Sequence, residues 1–368
     1  MIGVWKKSTL FCRTRSYCNY LEIKFLNKIE LLYFFLLLAN EPIKLNMKKL
    51  LFLLPVFIFG CKSNTNVVES EVRTASEMTY KVNQQEVSKT LEFLTSDELE
   101  GRETGTKGIE KAAVYLEDFF KSNNVKPYFS SYRDTLSTFK APAYNIVGYL
   151  EGTDPSLKKE FVILSAHYDH IGIDKKGLNG DFINNGANDD ASGVVAVAEM
   201  AKYFSQTKSN KRSVLFVFFA GEEKGLLGSK HLAKKLKSQN FNLYTQLNIE
   251  MIGVPMKRDF LAYITGFDKS NMAEKINEYT GKKTIGFLPK EAEYQLFYRS
   301  DNYSFYDVFK KPCQSLSTFD FENFDFYHHV SDEFKVMDIP HITSFTQELL
   351  PAVTKITDSP TQEITMTK

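Results

Sequence analysis

The sequence predicts an α/β sandwich, three layers in the order α/β/α around a mixed, mostly parallel central sheet. The runs YNIVGYLEG, FVILSAHYD, SVLFVFFAG, YTQLNIEMIG, FLAYITG and CQSLSTFD are apolar with little polar alternation, as strands covered on both faces are. Between them, ASGVVAVAEMAKYFSQ, LLGSKHLAKKLKS and NMAEKINEYTG carry the apolar spacing of helices. The chain of 368 residues is 43% hydrophobic and 25% charged, enough to build a large core.

Taken in order, the chain begins unlike the rest of itself. Residues 1–46 mix Cys12, Cys18, scattered basic residues and the apolar run LLYFFLLLA, with no period that leads to an element. They read as a start assigned too early, with Met47 as the true initiator. From Met47 the sequence MKKLLFLLPVFIFGCKSN has the charged start and short apolar core of an export signal, below the roughly 20 residues of a membrane span. The small residue before Cys61 resembles the lipobox of bacterial lipoproteins, which implies residues 47–61 as a signal and a lipid on Cys61. The competing reading is an uncleaved anchor. Residues 62–81 are polar and suit a flexible tether. The catalytic domain is then expected over 82–354, opening with two amphipathic helices in VSKTLEFLTSDELEG and GIEKAAVYLEDFFKSNNV, and residues 355–368 form a polar tail.

The formal net charge of +1 leaves no electrostatic footprint for nucleic acid. Of the four cysteines, the mature chain would keep Cys61 and Cys313, so a disulfide framework is excluded.

Several apolar runs end in residues that bind metals. These are His167 and Asp169 in SAHYDHIG, Glu222 and Glu223 in FFAGEEKG, and Glu250 in LNIEMIG, joined by Asp189 in GANDDASG and His328 in FYHHVSD. In open α/β sheets, ligands gather beyond the carboxyl ends of the strands, where these residues would converge. Two imidazoles and three carboxylates suit a pair of zinc ions, with Glu222 free to move a proton. Asp189, Glu223, Glu250 and a hydroxide would balance two dications, which leaves Glu222 as the extra base. Asp169 lies two residues past His167 and is expected to hold its second ring nitrogen. His170 is the alternative ligand in that segment. Asp190 is the alternative to Asp189, which is read as the carboxylate between the ions; a helix cap is the other role open to this loop.

Together HYDHIG, GANDDASG, AGEEKGLLGS, NIEMIG, RSDNYSF and YHHVSD resemble the motif series of the secreted bacterial di-zinc aminopeptidases, a family that includes glutamate carboxypeptidase II and the glutaminyl cyclases. LTSDELEGRETGTKGIEKAAVYL resembles the start of the same catalytic domain, so the likeness runs from Val82 onward. It implies a zinc-exopeptidase fold and two zinc ions per chain. His167, Asp189 and Glu250 would hold one ion, and Asp189, Glu223 and His328 the other. Glu222 would be the general base that activates a bridging water, and Tyr327 would donate to the tetrahedral oxyanion. Glu250 stands where the family pattern has aspartate, one methylene shorter. Arg299, Ser300 and Asp301 match a segment near the substrate cleft. The resemblance implies a peptide substrate and release of N-terminal residues. A glutaminyl-cyclase-like acyltransferase and a catalytically silent binding module on the same fold are the rival functions. The aromatic stretch FDFENFDFYHH could line a side-chain pocket or pack beneath the sheet.

Overall fold

The computed structural model describes residues 80–137 and 139–367. The upstream start, the signal and nearly all of the tether lie outside the described residues. In chain order the elements are α1 (Gln84–Leu94), α2 (Lys107–Ser122), β1 (Lys126–Pro127), β2 (Arg133–Thr135), β3 (Tyr144–Leu150), β4 (Phe161–His167), β5 (Gly172–Leu178) and β6 (Asp181–Asn184). Then come α3 (Ser192–Thr207), β7 (Ser213–Phe219), α4 (Leu227–Ser238), β8 (Leu243–Ile249), β9 (Ala262–Ile264), α5 (Met272–Thr280) and β10 (Ile285–Gly286). The chain closes with α6 (Pro289–Glu293), α7 (Asn302–Phe309), β11 (Cys313–Ser317) and α8 (Ile339–Asp358).

The main sheet runs β1-β3-β7-β4-β8-β11-β9-β10, with β2 also on β3. Its centre, β7-β4-β8-β11, is parallel, and antiparallel pairing is confined to the flanks at β3 and at the β11–β9 pair. Strand β7 shows why its sequence has no polar alternation. Val214, Phe216 and Phe218 enter one core with α1, α2, α3 and α8, whereas Leu215, Val217 and Phe219 enter a second with α4 and α7. Both faces are covered, so a strand with period-2 polarity would bury charge. This is the expected three-layer sandwich.

Helix α3 runs directly beneath the candidate site. Gly193 in its first turn has no room for a side chain, because a Cβ there would sit 2.4 Å from the Ile249 carbonyl oxygen and 2.4 Å from Asp190 Oδ1. A glycine at that position lets the helix abut the end of β8, which brings the 187–191 turn against the strand ends.

One expectation needs correction. Residues 355–368 do not begin outside the domain as a polar tail: α8 continues to Asp358, capped at its start by Asp338 accepting from the His341 N–H at 2.9 Å. Beyond it Ile364 is buried and its N–H donates to Tyr244 Oη at 2.7 Å. Pro340 and Pro351 obscure this helix in the sequence, yet Pro340 sits in the first turn, where no donor is needed, and Ile342, Phe345, Leu349, Val353 and Ile356 keep one buried face. The hairpin β5–β6 lies outside the main sheet, and its exposed charged residues give no apolar signal in the sequence.

Candidate metal centre

His167 is the last residue of β4, Glu222 lies three residues beyond β7, and Glu250 directly follows β8. Three neighbouring parallel strands therefore deliver side chains to one rim. His167 Nδ1 lies 3.1 Å from the backbone carbonyl of Asp169, which leaves Nε2 facing Asp189 Oδ1 at 3.1 Å. The partner that orients His167 is thus the carbonyl of Asp169, since its carboxylate is 3.7 Å away, beyond hydrogen-bond range. That carboxylate is engaged elsewhere. It accepts from Thr104 Oγ1 at 2.9 Å and from the Glu222 N–H at 3.2 Å, while Thr104 Oγ1 accepts from the Gly221 N–H at 3.0 Å. Asp169 is a positioning residue for the turn that carries Glu222.

The 187–191 turn is held from below. Asp332 accepts from the Asn188 and Asp189 N–H groups at 2.7 and 3.1 Å. Asp190, the alternative ligand, accepts from the N–H groups of His167, Gly193 and Met251 at 3.3, 3.1 and 3.0 Å, so it ties three segments together and does not face the cleft. Arg102, buried, donates to the carbonyls of Tyr168, Asn185 and Gly186 at 2.8, 2.6 and 3.0 Å and also to that of Leu94. Neither Arg102 nor Asp332 was assigned a role from sequence. Their partners are main-chain groups on distant segments, which carry no residue-type signal.

Asp189 sits between two imidazoles. Its Oδ2 is 3.2 Å from His328 Nε2, and His328 Nε2 is 3.1 Å from Glu223. His329 turns away, its Nδ1 accepting from the Ser331 N–H at 3.0 Å. Glu250 reaches the same cleft beside Asp189, Glu222, Glu223 and Tyr327. Its Oε2 accepts from Ser300 Oγ, and Asn248 Nδ2 is 3.4 Å away, so the added methylene is stabilised by a polar ladder from β8 and β11. Ser300 thereby gains a positioning role. His170, considered in sequence as an alternative ligand, is present alongside His167: its Nδ1 is 3.1 Å from Glu223 Oε1.

Two donors at 2.0–2.1 Å from one tetrahedral ion stand about 3.3 Å apart. The separations among His167, Asp189, Glu223 and His328 cluster at that value, and the donor chemistry, imidazole with carboxylate, is that of zinc. The residues present therefore fit the group.

The charge pattern makes the same demand. Burial pushes the carboxyls of Glu250, Asp301 and Asp332 up to about 7, and holds Glu222 well above the usual carboxylate range, aided by Glu250, Asp301 and Glu223. Burial pulls His328 down, but its bonds to Asp189 and Glu223 prevail and carry it up to about 10. Groups that hold protons more tightly folded than unfolded stabilise the fold fully below their ordinary pKa, and that stabilisation is lost as pH rises through the folded value. The carboxyls act from about pH 4 to 7 and His328 from about 6.5 to 10. Asp189 and Glu223, shifted down despite burial by their histidine partners, act in the opposite sense only at more acidic pH. The metal-free protein is accordingly expected to lose melting temperature steadily from about pH 5 to 9, and zinc to raise and flatten that curve. A metal-free melting temperature that rises with pH across this range would contradict it.

Beside Glu250 lies a cavity of about 110 Å³ whose wall includes Phe319, Phe321, Tyr327 and Arg299. The aromatic stretch is thus divided by position. Phe319, Phe321 and Tyr327 line the cavity, and Phe319 also joins the core with Phe324, against which Phe321 and Phe326 pack. Tyr327 stacks on His328 with ring centroids 4.0 Å apart. Tyr327 is half exposed at the cleft rim, and partial desolvation with the charges of Asp189, Glu223, Glu222 and Glu250 pushes its phenol upward, which keeps the hydroxyl a donor.

The model of peptidase family M28 matches residues 145–353, and the chain belongs to that family. A probable zinc metalloprotease of Pyrenophora tritici-repentis (strain Pt-1C-BFP) is 31% identical over 179 residues, 45% of this chain and 40% of that protein, so this chain spans less than half the length of that relative. Among solved structures, the LapA aminopeptidase of Legionella pneumophila superposes with a TM-score of 0.58 at 20% identity, covering 76% of this chain and 73% of that one. The glutaminyl cyclase of Bacteroides thetaiotaomicron superposes with a TM-score of 0.57 at 16% identity, covering 77% and 99%. These likenesses establish the shared fold.

Proposed function

We propose that this protein is a zinc-dependent aminopeptidase that hydrolyses N-terminal residues from peptides. The observation that carries the reading is the single carboxylate of Asp189 between His167 Nε2 and His328 Nε2, at 3.1 and 3.2 Å, with Glu222 on the same cleft. Family membership and the aminopeptidases among the structural neighbours support it.

On this reading His167 and Glu250 would hold one ion and Glu223 and His328 another, with Asp189 standing between them. Bound zinc supplies Lewis acidity to the scissile carbonyl and the attacking water. Glu222, which lines the cleft beside Asp189 and Glu250, takes a proton from that water and passes it to the leaving amine. Tyr327 donates to the oxygen of the tetrahedral intermediate. Asp169 and Thr104 keep the Glu222 turn in register, and Ser300 holds Glu250. The cavity lined by Phe319, Phe321 and Tyr327 favours an apolar N-terminal side chain.

The proposal includes export and a lipid tether at Cys61, supported by the run MKKLLFLLPVFIFGC. Cys61→Ser should move the protein from the membrane to the soluble fraction; unchanged partitioning would remove the tether.

The activity is tested with the zinc-loaded chain on peptides that differ only in the first residue. Release of free amino acids is expected, fastest from Leu- and Phe-initiated peptides. Ammonia released from a Gln-initiated peptide without hydrolysis would indicate the cyclase chemistry instead, and no reaction with any peptide would favour a silent binding module.

A further inference from the structure

We propose that His170 is a third metal-binding imidazole, which completes the ion site of Asp189, Glu223 and His328 with a fourth protein ligand. The inference rests on the zinc reading above and concerns a residue outside the five ligands assigned there.

The imidazole is fully buried, and neither Nδ1 nor Nε2 has a hydrogen-bond partner among the described residues. A buried polar ring without partners is unfavourable, and such groups in folded proteins call for an explanation. Nδ1 lies 3.1 Å from Glu223 Oε1 and 3.8 Å from Asp189 Oδ2, close enough for contact but not aligned as a hydrogen bond. That is how atoms aim at a shared third point: ligands of one tetrahedral zinc stand about 3.3 Å apart. Donor atoms of His170, Asp189 and Glu223 all fall within 4.8 Å of one another. On the other side of Glu223 stands His328, its ring centroid 5.7 Å from that of His170.

The backbone holds the ring in place. The His170 N–H donates to the Arg102 carbonyl at 3.3 Å, and His170 bridges to Glu103 in the parallel sense. Across the ring, Gly186 has φ +56, and a Cβ there would sit 2.5 Å from His170 Cγ. The loop that presents Asp189 therefore leaves space shaped for this imidazole.

The consequence is asymmetry between the ions. The His170 site has two imidazoles and two carboxylates, a full tetrahedral set, whereas the His167 site has one imidazole and two carboxylates and keeps a position open. The closed site should retain its metal longer, and the open site should exchange it.

The test uses the full chain and reads metal binding apart from turnover. Competition with a chromophoric chelator should show His170→Asn weakening the tighter zinc site at least tenfold to hundredfold, with Gly186→Ala shifting it the same way. In the cobalt-loaded wild type, paramagnetic proton NMR should show three exchangeable imidazole N–H signals, from His167, His170 and His328. This count decides the matter even if His170→Asn fails to fold. Two signals, or parental zinc affinity in a folded His170→Asn, would overturn the proposal. Three signals in a protein that cleaves no peptide would support it while removing the aminopeptidase reading, and a wild type that binds no zinc would end both.

Discussion

Glu222→Gln is expected to lower kcat by about 10²–10⁴-fold, the share that a positioned general base contributes, with zinc content and KM near those of the wild type. The amide keeps the shape of the side chain and the backbone bond from the Glu222 N–H to Asp169, so the turn should not move. What it removes is the ability to take a proton. In the metal-free protein burial raises the proton affinity of Glu222, His167 opposes it, and Glu250, Asp301 and Glu223 add to the rise. Metal analysis and steady-state kinetics on one preparation would check this. Turnover within a few-fold of the wild type would exclude Glu222 as the base.

Arg102→Met should cost about 3 to 5 kcal/mol of stability, the range for removing one member of a buried charge network. The guanidinium binds carbonyls at the end of α1, after β4 and in the loop before Asp189, and methionine can satisfy none of them. It also carries positive charge beneath Asp332, Asp169, Asp189 and Asp190, although burial lowers its own pKa to about 10. Denaturant unfolding of the zinc-free variant is the suitable measurement, since bound metal would mask part of the loss. A change under about 1 kcal/mol would show that the carbonyls find other partners.

Much of this architecture can be read from residue order because the physics is local. Uninterrupted apolar runs such as SVLFVFF require cover on both faces, and a strand that ends in histidine or in Ala-Gly-Glu-Glu places its polar residues at the rim. The positions of His167, Glu222, Glu223 and Glu250 follow from that rule, whereas Asp189 and His328 lie outside the strands and are singled out by the resemblance of their motifs. Other parts depend on contacts that spacing does not reveal. Asp169 differs from expectation because its own backbone carbonyl competes for His167 and wins on distance. His170 stands only as the alternative to its neighbours in the sequence, since its place depends on how the chain bends after β4 and on the room beside Gly186. Pro340 and Pro351 hide helix α8 from a reading of residue order, since proline is a poor helix former inside a run, yet its apolar face holds it against the core as far as Ile356.

The most direct test of the central claim is a zinc titration of the metal-free chain, with bound metal and released amino acid measured at each addition. Two equivalents of zinc are expected to bind, with aminopeptidase turnover absent at the start and rising with occupancy of the second. Full turnover by protein stripped of metal, or two tightly bound ions with no release from any unblocked peptide, would contradict the account.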